Sequence, residues 1–177
     1  MTIDDLIQLI SASSQHKYVY HFTDEVNLPS IVERGLLSKE QLRAQGLWPP
    51  KATGGNQLSW DLDIHRGIDP FVSLCMTRNH GMKFLAEQEG RLSKPVYLGI
   101  NPAVLALPGV KIALGVANAN DVTILPVAEA IAHLDTEVLY SRTDWKDATV
   151  QARLRLAEKF EVLVPRSVPR PLIMGKF

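Results

Sequence analysis

The chain has 177 residues, of which 46% are hydrophobic and 21% are charged, values typical of an ordinary globular protein. This length favours one domain over residues 1–177, large enough to bury about 70% of the surface that the unfolded chain exposes. Nineteen basic residues balance nineteen acidic ones, so no strong overall field points to a highly charged partner. Residues 142–177 nevertheless hold eight basic and four acidic residues, which gives this end a modest basic character.

The same composition excludes several classes of protein. Cys75 is the single cysteine, which excludes an intrachain disulfide and a thiolate zinc cluster. No apolar run is long enough to cross a membrane, and the first residues carry Asp4 and Asp5 without the basic start of a secretory signal. We therefore expect a cytoplasmic protein that does not act on a membrane.

The first part of the chain combines helical patterns with one strongly β-prone run. The spacing of apolar residues predicts helices over residues 2–13, 28–34 and 38–45, and a strand over residues 17–23. Asn27 is a suitable capping residue for the second helix. The period of two in the strand places Tyr18, Tyr20 and Phe22 on one face and His21 on the other.

The middle of the chain mixes short strands and helices with irregular segments. Paired prolines and paired glycines predict a mobile loop over residues 48–58, and no helix or strand is predicted from there to Gly67. Further strands are predicted over residues 70–76, 95–100, 110–114 and 123–125, and helices over residues 82–89, 127–133 and 145–158. Because strands and helices do not alternate as βαβ units, the pattern favours an α+β fold.

Residues 159–165 form the last predicted strand and carry a single carboxylate. The period of two places Phe160, Val162 and Val164 on one face and Glu161 on the other. Burying an ionised carboxylate without partners is unfavourable. Either Glu161 faces solvent, or a functional site requires a carboxylate at this position.

A second group of polar side chains lies near the start of the chain. His21 and Thr23 share one face of the predicted strand, and Asn27 begins the next helix. An imidazole, a hydroxyl and an amide near a helix N-terminus suit ligands with hydroxyl groups and phosphates. The alternative is that His21 is a structural histidine whose hydrogen bonds are satisfied within the fold.

These two groups lie in segments that resemble a known family. Residues 20–23 (Tyr-His-Phe-Thr), 27–28 (Asn-Leu) and 35–36 (Gly-Leu) resemble the opening of the DarT-type nucleic-acid ADP-ribosyltransferases. Residues 161–165 (Glu-Val-Leu-Val-Pro), followed by 168–169 (Val-Pro), resemble the segment that carries the catalytic glutamate of that family. The two blocks lie at opposite ends of the chain in the family's order, so the resemblance spans nearly the whole domain.

The resemblance implies an ADP-ribosyltransferase fold, in which helices surround a split, mostly antiparallel β-core and NAD lies in the cleft. It implies transfer of ADP-ribose from NAD to a nucleic-acid base, with single-stranded DNA as the favoured acceptor. Such a protein would be a bacterial toxin or phage-defence effector, with an antitoxin protein as a partner. Transfer to RNA or protein, hydrolysis of NAD, and a non-catalytic nucleotide-binding role are the alternatives.

The resemblance also implies roles for individual residues. Glu161 would stabilise the positive charge that develops on the ribose as nicotinamide leaves. The residues expected to act in catalysis are Glu161 and Arg66, and those expected to bind NAD are His21, Thr23, Asn27, Ser59 and Arg78. Arg78 follows closely after the strand predicted over 70–76, where the family has an arginine, and the sequence leaves open which of the two arginines is the key one.

The acceptor is expected to lie along residues 48–66 and the basic C-terminal face. This segment offers aromatic surface for stacking and polar groups for phosphates, from Trp48, Lys51, Asn56, Trp60 and Arg66. We expect no metal, because the five histidines lack the His-Glu-x-x-His spacing and neighbouring acids such as Asp61 and Asp63 are more often solvated. Cys75 lies in an apolar strand and is expected to be part of the core.

Overall fold

A computed structural model describes residues 1–177, in which eight α-helices combine with nine β-strands. The helices are α1 Ile3–Ala12, α2 Leu28–Arg34, α3 Lys39–Ala44, α4 Gln57–His65, α5 Gly81–Gln88, α6 Val127–Ala130, α7 Thr136–Tyr140 and α8 Ala148–Ala157. The strands are β1 Val19–Asp24, β2 Leu36–Leu37, β3 Phe71–Cys75, β4 Pro95–Ile100, β5 Lys111–Ala113, β6 Ile124–Pro126, β7 Glu161–Pro165, β8 Ser167–Val168 and β9 Ile173–Lys176. Short 3-10 helices lie at Glu25–Asn27, Pro102–Ala106, Ile131–His133 and Arg170–Leu172.

Seven of the strands form one sheet in the order β6-β5-β7-β3-β1-β4-β9, and β2 pairs with β8 separately. Every pairing is antiparallel. In the centre, β3 and β7 pair from Phe71↔Pro165 to Cys75↔Glu161. On the other side, β1 and β4 pair along their whole length, from Val19↔Ile100 to Asp24↔Pro95. This arrangement confirms the predicted α+β class with a mostly antiparallel core.

The large sheet is split where β1 meets β3. These two strands share one residue pair, Tyr20↔Cys75, whereas β3 and β7 share five pairs and β1 and β4 share six. The sheet therefore consists of two halves, β6-β5-β7-β3 and β1-β4-β9, that are joined at a single position. The predicted split in the β-core is thus present, and it lies between the strands that carry His21 and Ser73.

Strand β7 is buried on both faces, which fixes the position of Glu161 at its start. Val162 and Val164 belong to the main core together with Leu6 and Ile10 of α1. Leu163 points the opposite way, into a smaller cluster with Ile68, Ala113 and Ala117. Each fully buried Val, Leu or Ile side chain contributes about 1.5–3 kcal/mol relative to an exposed one. A strand anchored in this way holds its terminal carboxylate on a rigid support.

The strand that carries His21 has the predicted two faces. Tyr20 lies in a buried cluster with Cys75 and Tyr97, and Tyr18 and Phe22 pack against that cluster. Val19 lies on the opposite side, in the main core. Cys75 is buried, as expected for a core cysteine.

Helix α4 was not predicted, and its burial explains why. Residues Leu58 and Ile64 of this helix are 66% and 56% exposed, whereas Asp63 is buried. The helix thus directs a polar face inward and apolar side chains outward, which is the reverse of the usual amphipathic pattern. The predicted loop therefore ends at Asn56, whose side chain caps α4 by accepting a hydrogen bond from the backbone N–H of Ser59.

Two further predictions about helices need correction, and one short helix was not predicted. Asn27 has helical backbone angles, because a 3-10 helix precedes it, and its side chain makes no capping hydrogen bond. The helix predicted over 145–158 begins only at Ala148, where the Asp147 carboxylate accepts hydrogen bonds from two backbone N–H groups. Helix α7 was missed because it is only five residues long. None of these differences changes the strand order.

Candidate active site

A cavity of about 430 Å³ opens at the split between β1 and β3. Strands β1, β3 and β7 form its floor, and α2, α3, α4 and the segment 47–55 form its walls. The volume lies within the range of about 300–1,000 Å³ that is usual for small-molecule sites. Of the residues predicted to form a site, the cavity brings together His21, Thr23, Asn27, Ser59 and Glu161.

Glu161 lies on the floor of the cavity and is 8% exposed. Its Oε2 accepts a long hydrogen bond, 3.4 Å, from the backbone N–H of Ala117. The pKa of this carboxyl is raised to about 7, mainly by burial and to a lesser extent by the nearby charge of Asp63, and against the opposing effects of the Ala117 bond, Lys39 and Ser73. Glu161 is therefore a carboxyl group able to take up or release a proton near neutral pH.

His21 spans the split from the β1 side. Its Nδ1 lies 3.1 Å from the carbonyl oxygen of Ser73 on β3. A carbonyl oxygen only accepts, so Nδ1 carries the hydrogen and Nε2 is left as an acceptor. Burial lowers the pKa of His21, so the imidazole is neutral at pH 7. The ring both links the two half-sheets and lines the cavity.

Thr23 and Asn27 connect β1 to the cavity wall. The side-chain amide of Asn27 donates to Thr23 Oγ1 at 3.2 Å and to the carbonyl oxygen of Ala52 at 2.7 Å. The backbone N–H of Ala52 donates back to Asn27 Oδ1 at 3.4 Å. Asn27 thus fastens the segment 47–55 to the start of α2, and this role was not apparent from the sequence.

A buried polar network lines the wall formed by α3 and α4. Lys39 and Asp63 form an ion pair. The side-chain amide of Asn118 donates to Asp63 Oδ1 at 2.8 Å and to Ser59 Oγ at 3.3 Å. Asp63 was expected to be solvated but is 4% exposed. Sequence reasoning missed Lys39 and Asp63 as cavity residues because they lie on separate helices.

Neither predicted arginine lines the cavity. Arg66 follows α4 and is exposed, and its guanidinium group bonds to Asn120 Oδ1. Arg78 is also exposed, with its guanidinium carbon 5.8 Å and 5.6 Å from the ring centroids of Tyr20 and Phe177. The basic side chains that do line the cavity are those of Lys39 and Lys51.

The aromatic residues proposed for stacking contact each other at the cavity wall. The rings of Trp48 and Trp60 meet edge to face, with centroids 4.9 Å apart, and Arg43 lies over Trp48 at 5.2 Å. Trp60 Nε1 is buried without a hydrogen-bond partner. The pair thus presents aromatic surface beside Lys51, which also lines the cavity.

His80 is a further cavity residue that the sequence did not indicate. It is 5% exposed, lines the cavity, and places Nε2 at 3.4 Å from Glu161 Oε1. No local pattern marks it, because it lies between β3 and α5 and reaches Glu161 only through the pairing of β3 with β7.

The structure contains neither a cluster of metal-ligating side chains nor a membrane-spanning helix. No group of three or more His, Cys, Asp or Glu side chains is placed to hold a metal ion. None of the helices is long and apolar enough to span a bilayer.

Comparisons with known proteins give a family and several structural relatives. Residues 20–175 match the family model described as DarT, ssDNA thymidine ADP-ribosyltransferase. A comparison with curated protein sequences found no match.

The solved structures that resemble this chain share its fold at low sequence identity. Thermosipho africanus DarTG in complex with ADP-ribose is 18% identical, with a TM-score of 0.67 over 90% of this chain and 43% of that one. Thermus sp. 2.9 DarT in complex with ADP-ribosylated ssDNA is 18% identical, with a TM-score of 0.64 over 89% of this chain and 79% of that one. The NAD+ complex of the same protein has a TM-score of 0.60 with the same identity and coverage. The chain therefore spans less than half of the DarTG protein and about four fifths of the Thermus protein.

Proposed function

Because this chain belongs to the DarT family of ssDNA thymidine ADP-ribosyltransferases, we propose that it transfers ADP-ribose from NAD to thymidine in single-stranded DNA. The observation that carries the proposal is the carboxylate of Glu161, held on a rigid strand at the floor of a cavity of suitable size. The family match and the complexes of the Thermus relative with NAD+ and with ADP-ribosylated ssDNA support it.

Glu161 is proposed to be the catalytic carboxylate. When the bond between nicotinamide and ribose breaks, nicotinamide leaves with the electron pair and positive charge develops on the ribose. A carboxylate in a water-poor cavity stabilises that charge better than it would in water. The acceptor nitrogen then bonds to the ribose carbon, and Glu161 takes the proton that the base loses.

The other predicted residues are proposed to bind NAD. His21 Nε2 is a free acceptor for a ribose hydroxyl, since Nδ1 is engaged with Ser73. Thr23, Asn27 and Ser59 supply hydroxyl and amide groups on the same cavity. Lys51 is exposed at the wall and is suited to the diphosphate, a role that we assign to it in place of Arg78.

Arg66 is proposed to act on the acceptor side. Its bond to Asn120 links the end of α4 to the segment 115–121, which also provides the N–H of Ala117 to Glu161. The Trp48–Trp60 pair offers an aromatic edge for an unstacked base. A base within a duplex cannot reach the ribose, so duplex DNA should be a poor acceptor.

The deciding experiment incubates the protein with labelled NAD and separate pools of single-stranded DNA, duplex DNA, RNA and protein. Label in single-stranded DNA that requires thymidine is the expected result. Glu161→Gln should abolish it, and Glu129→Gln, an exposed glutamate on α6, is the matched control. Release of nicotinamide without labelling of any acceptor would instead favour NAD hydrolysis, and label confined to RNA or protein would change the acceptor.

We further propose that the protein acts in the bacterial cytoplasm, where NAD and DNA occur together, as a toxin or phage-defence effector held in check by an antitoxin. The resemblance to the DarTG protein supports this proposal. Induced expression should arrest growth of a bacterial host, and Glu161→Gln should relieve the arrest. Equal toxicity of both forms would refute the link between toxicity and transfer.

A further inference from the structure

His80 is a buried imidazole without a hydrogen-bond partner beside the proposed catalytic carboxylate. Its side chain is 3% exposed, and Nε2 lies 3.4 Å from Glu161 Oε1. Neither ring nitrogen makes a hydrogen bond in the protein. Buried polar groups are nearly always paired, so an exception next to a reactive group calls for an explanation.

Hydrogen bonds hold His80 and the residues just before it. The N–H of His80 donates to the Tyr97 hydroxyl at 3.1 Å. The side chain of Asn79 donates to the Glu158 carboxylate at 3.1 Å and 3.2 Å, and Thr77 Oγ1 bonds to the same carboxylate at 3.4 Å. A change in the position of the imidazole is therefore a rotation about its own side-chain bonds rather than a movement of the backbone.

The surroundings keep this imidazole neutral. Burial lowers the pKa of His80 to about 4, and its position at the start of α5 also disfavours positive charge. The Phe22 ring stacks nearly parallel to it, with centroids 6.1 Å apart and an interplanar angle of 23°. A neutral imidazole has one N–H donor and one acceptor, so the tautomer with hydrogen on Nε2 presents a donor to Glu161.

We propose that His80 is a positioning residue for Glu161, whose carboxylate accepts Nε2–H from the neutral imidazole after a small rotation of the ring. This bond would favour the ionised carboxylate and fix its direction in the cavity. Hydrogen bonds of catalytic groups are often long in an unliganded site, in agreement with the separation of 3.4 Å. The inference rests on the proposed function only for its consequence in catalysis, since the hydrogen bond itself needs no substrate.

Several other groups act on the same carboxyl. The N–H of Ala117 reaches the other oxygen, Oε2. Ser73 and Lys39 favour the ionised form, whereas burial and the charge of Asp63 oppose it. Cys75, also beside Glu161, stays a neutral thiol because burial raises its pKa. His80 Nε2 is the ring nitrogen that lies 3.4 Å from Oε1, so its removal changes the surroundings of that oxygen while the Ala117 bond to Oε2 remains.

The test compares His80→Leu, which removes the donor, with His80→Gln, whose amide nitrogen can take the place of Nε2. Both proteins and the wild type are labelled with ¹³C at the glutamate carboxyl carbons, and Glu161→Gln identifies the resonance. The hydrogen bond predicts that the titration midpoint of Glu161 rises by about one pH unit in His80→Leu and by much less in His80→Gln. An unchanged midpoint in His80→Leu overturns the proposal. If His80→Leu does not fold, His80→Asn replaces it, because its shorter amide does not reach Oε1.

The same variants connect the hydrogen bond to catalysis. The acidic limb of the transfer rate against pH should move upward by the same amount in His80→Leu, with about a tenfold loss below the limb and little loss at pH 9. A uniform loss at every pH would show a merely structural role and refute the positioning role. If the wild type transfers no ADP-ribose at all, the proposed function fails, while the carboxyl titration still decides whether His80 binds Glu161.

Discussion

Replacing Glu161 by glutamine should stabilise the unliganded protein at alkaline pH while it abolishes activity. The pKa of Glu161 is raised by burial to about 7 from an ordinary value of 4.5. Between these two values the folded state holds a proton that the unfolded state has released. The free energy of unfolding therefore decreases as the pH rises through this interval, because the unfolded state binds fewer protons.

The size of the effect follows from the two pKa values. A difference of about 2.5 pH units corresponds to about 3 kcal/mol, most of which is lost between pH 4.5 and pH 7. An amide cannot ionise, so Glu161→Gln avoids this loss and keeps an oxygen for the N–H of Ala117. His80 opposes the trend, since its lowered pKa makes stability rise with pH between about 4 and 6.5. Both proteins contain His80, so the difference between them isolates Glu161.

Urea unfolding of wild type and Glu161→Gln at pH 5, 6, 7 and 8 measures this difference. The variant should be within about 1 kcal/mol of the wild type at pH 5 and about 3 kcal/mol more stable at pH 8. Glu129→Gln, which changes an exposed carboxyl, should show no such trend. A constant difference across the pH range, or a less stable variant at pH 8, would refute the claim that burial of Glu161 opposes its ionisation.

Three further substitutions test other parts of the structure. His21→Ala should reduce the rise in melting temperature that NAD produces, and a full rise in a less stable variant would favour a purely structural histidine. Arg66→Ala should lower transfer to single-stranded DNA several-fold and weaken its salt dependence without reducing NAD binding, whereas Arg78→Ala, the matched control, should leave transfer near the wild-type rate. Gly35→Ala should destabilise the fold by about 2 kcal/mol or more. Gly35 has a φ of 79°, and an added Cβ would lie 2.5 Å from the Val168 carbonyl oxygen. A variant that melts at the wild-type temperature would contradict this prediction.

The parts of the fold that the sequence predicted well are those in which local pattern and burial agree. The alternation in β1 placed Tyr20 and His21 on opposite faces, and the structure has them there. Glu161 stood out because it interrupts an apolar strand, and that strand is indeed buried on both sides. Such positions are predictable because a period of two relates neighbours in sequence directly to faces of a sheet.

The remaining parts of the site depend on contacts between distant segments. Helix α4 directs Ser59 and Asp63 toward the cavity while its apolar residues Leu58 and Ile64 are exposed, so no amphipathic signal is present. Asp63 meets Lys39 and Asn118 only after three separate segments have packed together. Arg66 and Arg78 were placed by their position in the chain, which does not determine the direction of a long side chain. Local periodicity carries no information about contacts between segments that are far apart in the sequence.

Because β1 and β3 share a single residue pair, the two half-sheets meet along a narrow boundary, and the cavity opens at this boundary. Few hydrogen bonds connect the two half-sheets at this split, where Tyr20↔Cys75 is the one strand pair and His21 bonds to the carbonyl oxygen of Ser73. A dinucleotide bound in the cavity would contact both half-sheets and so connect them. Ligand binding would then reduce the motion of the two half-sheets relative to each other, and not only the motion of one cavity wall. Release of the cleaved product would restore that motion.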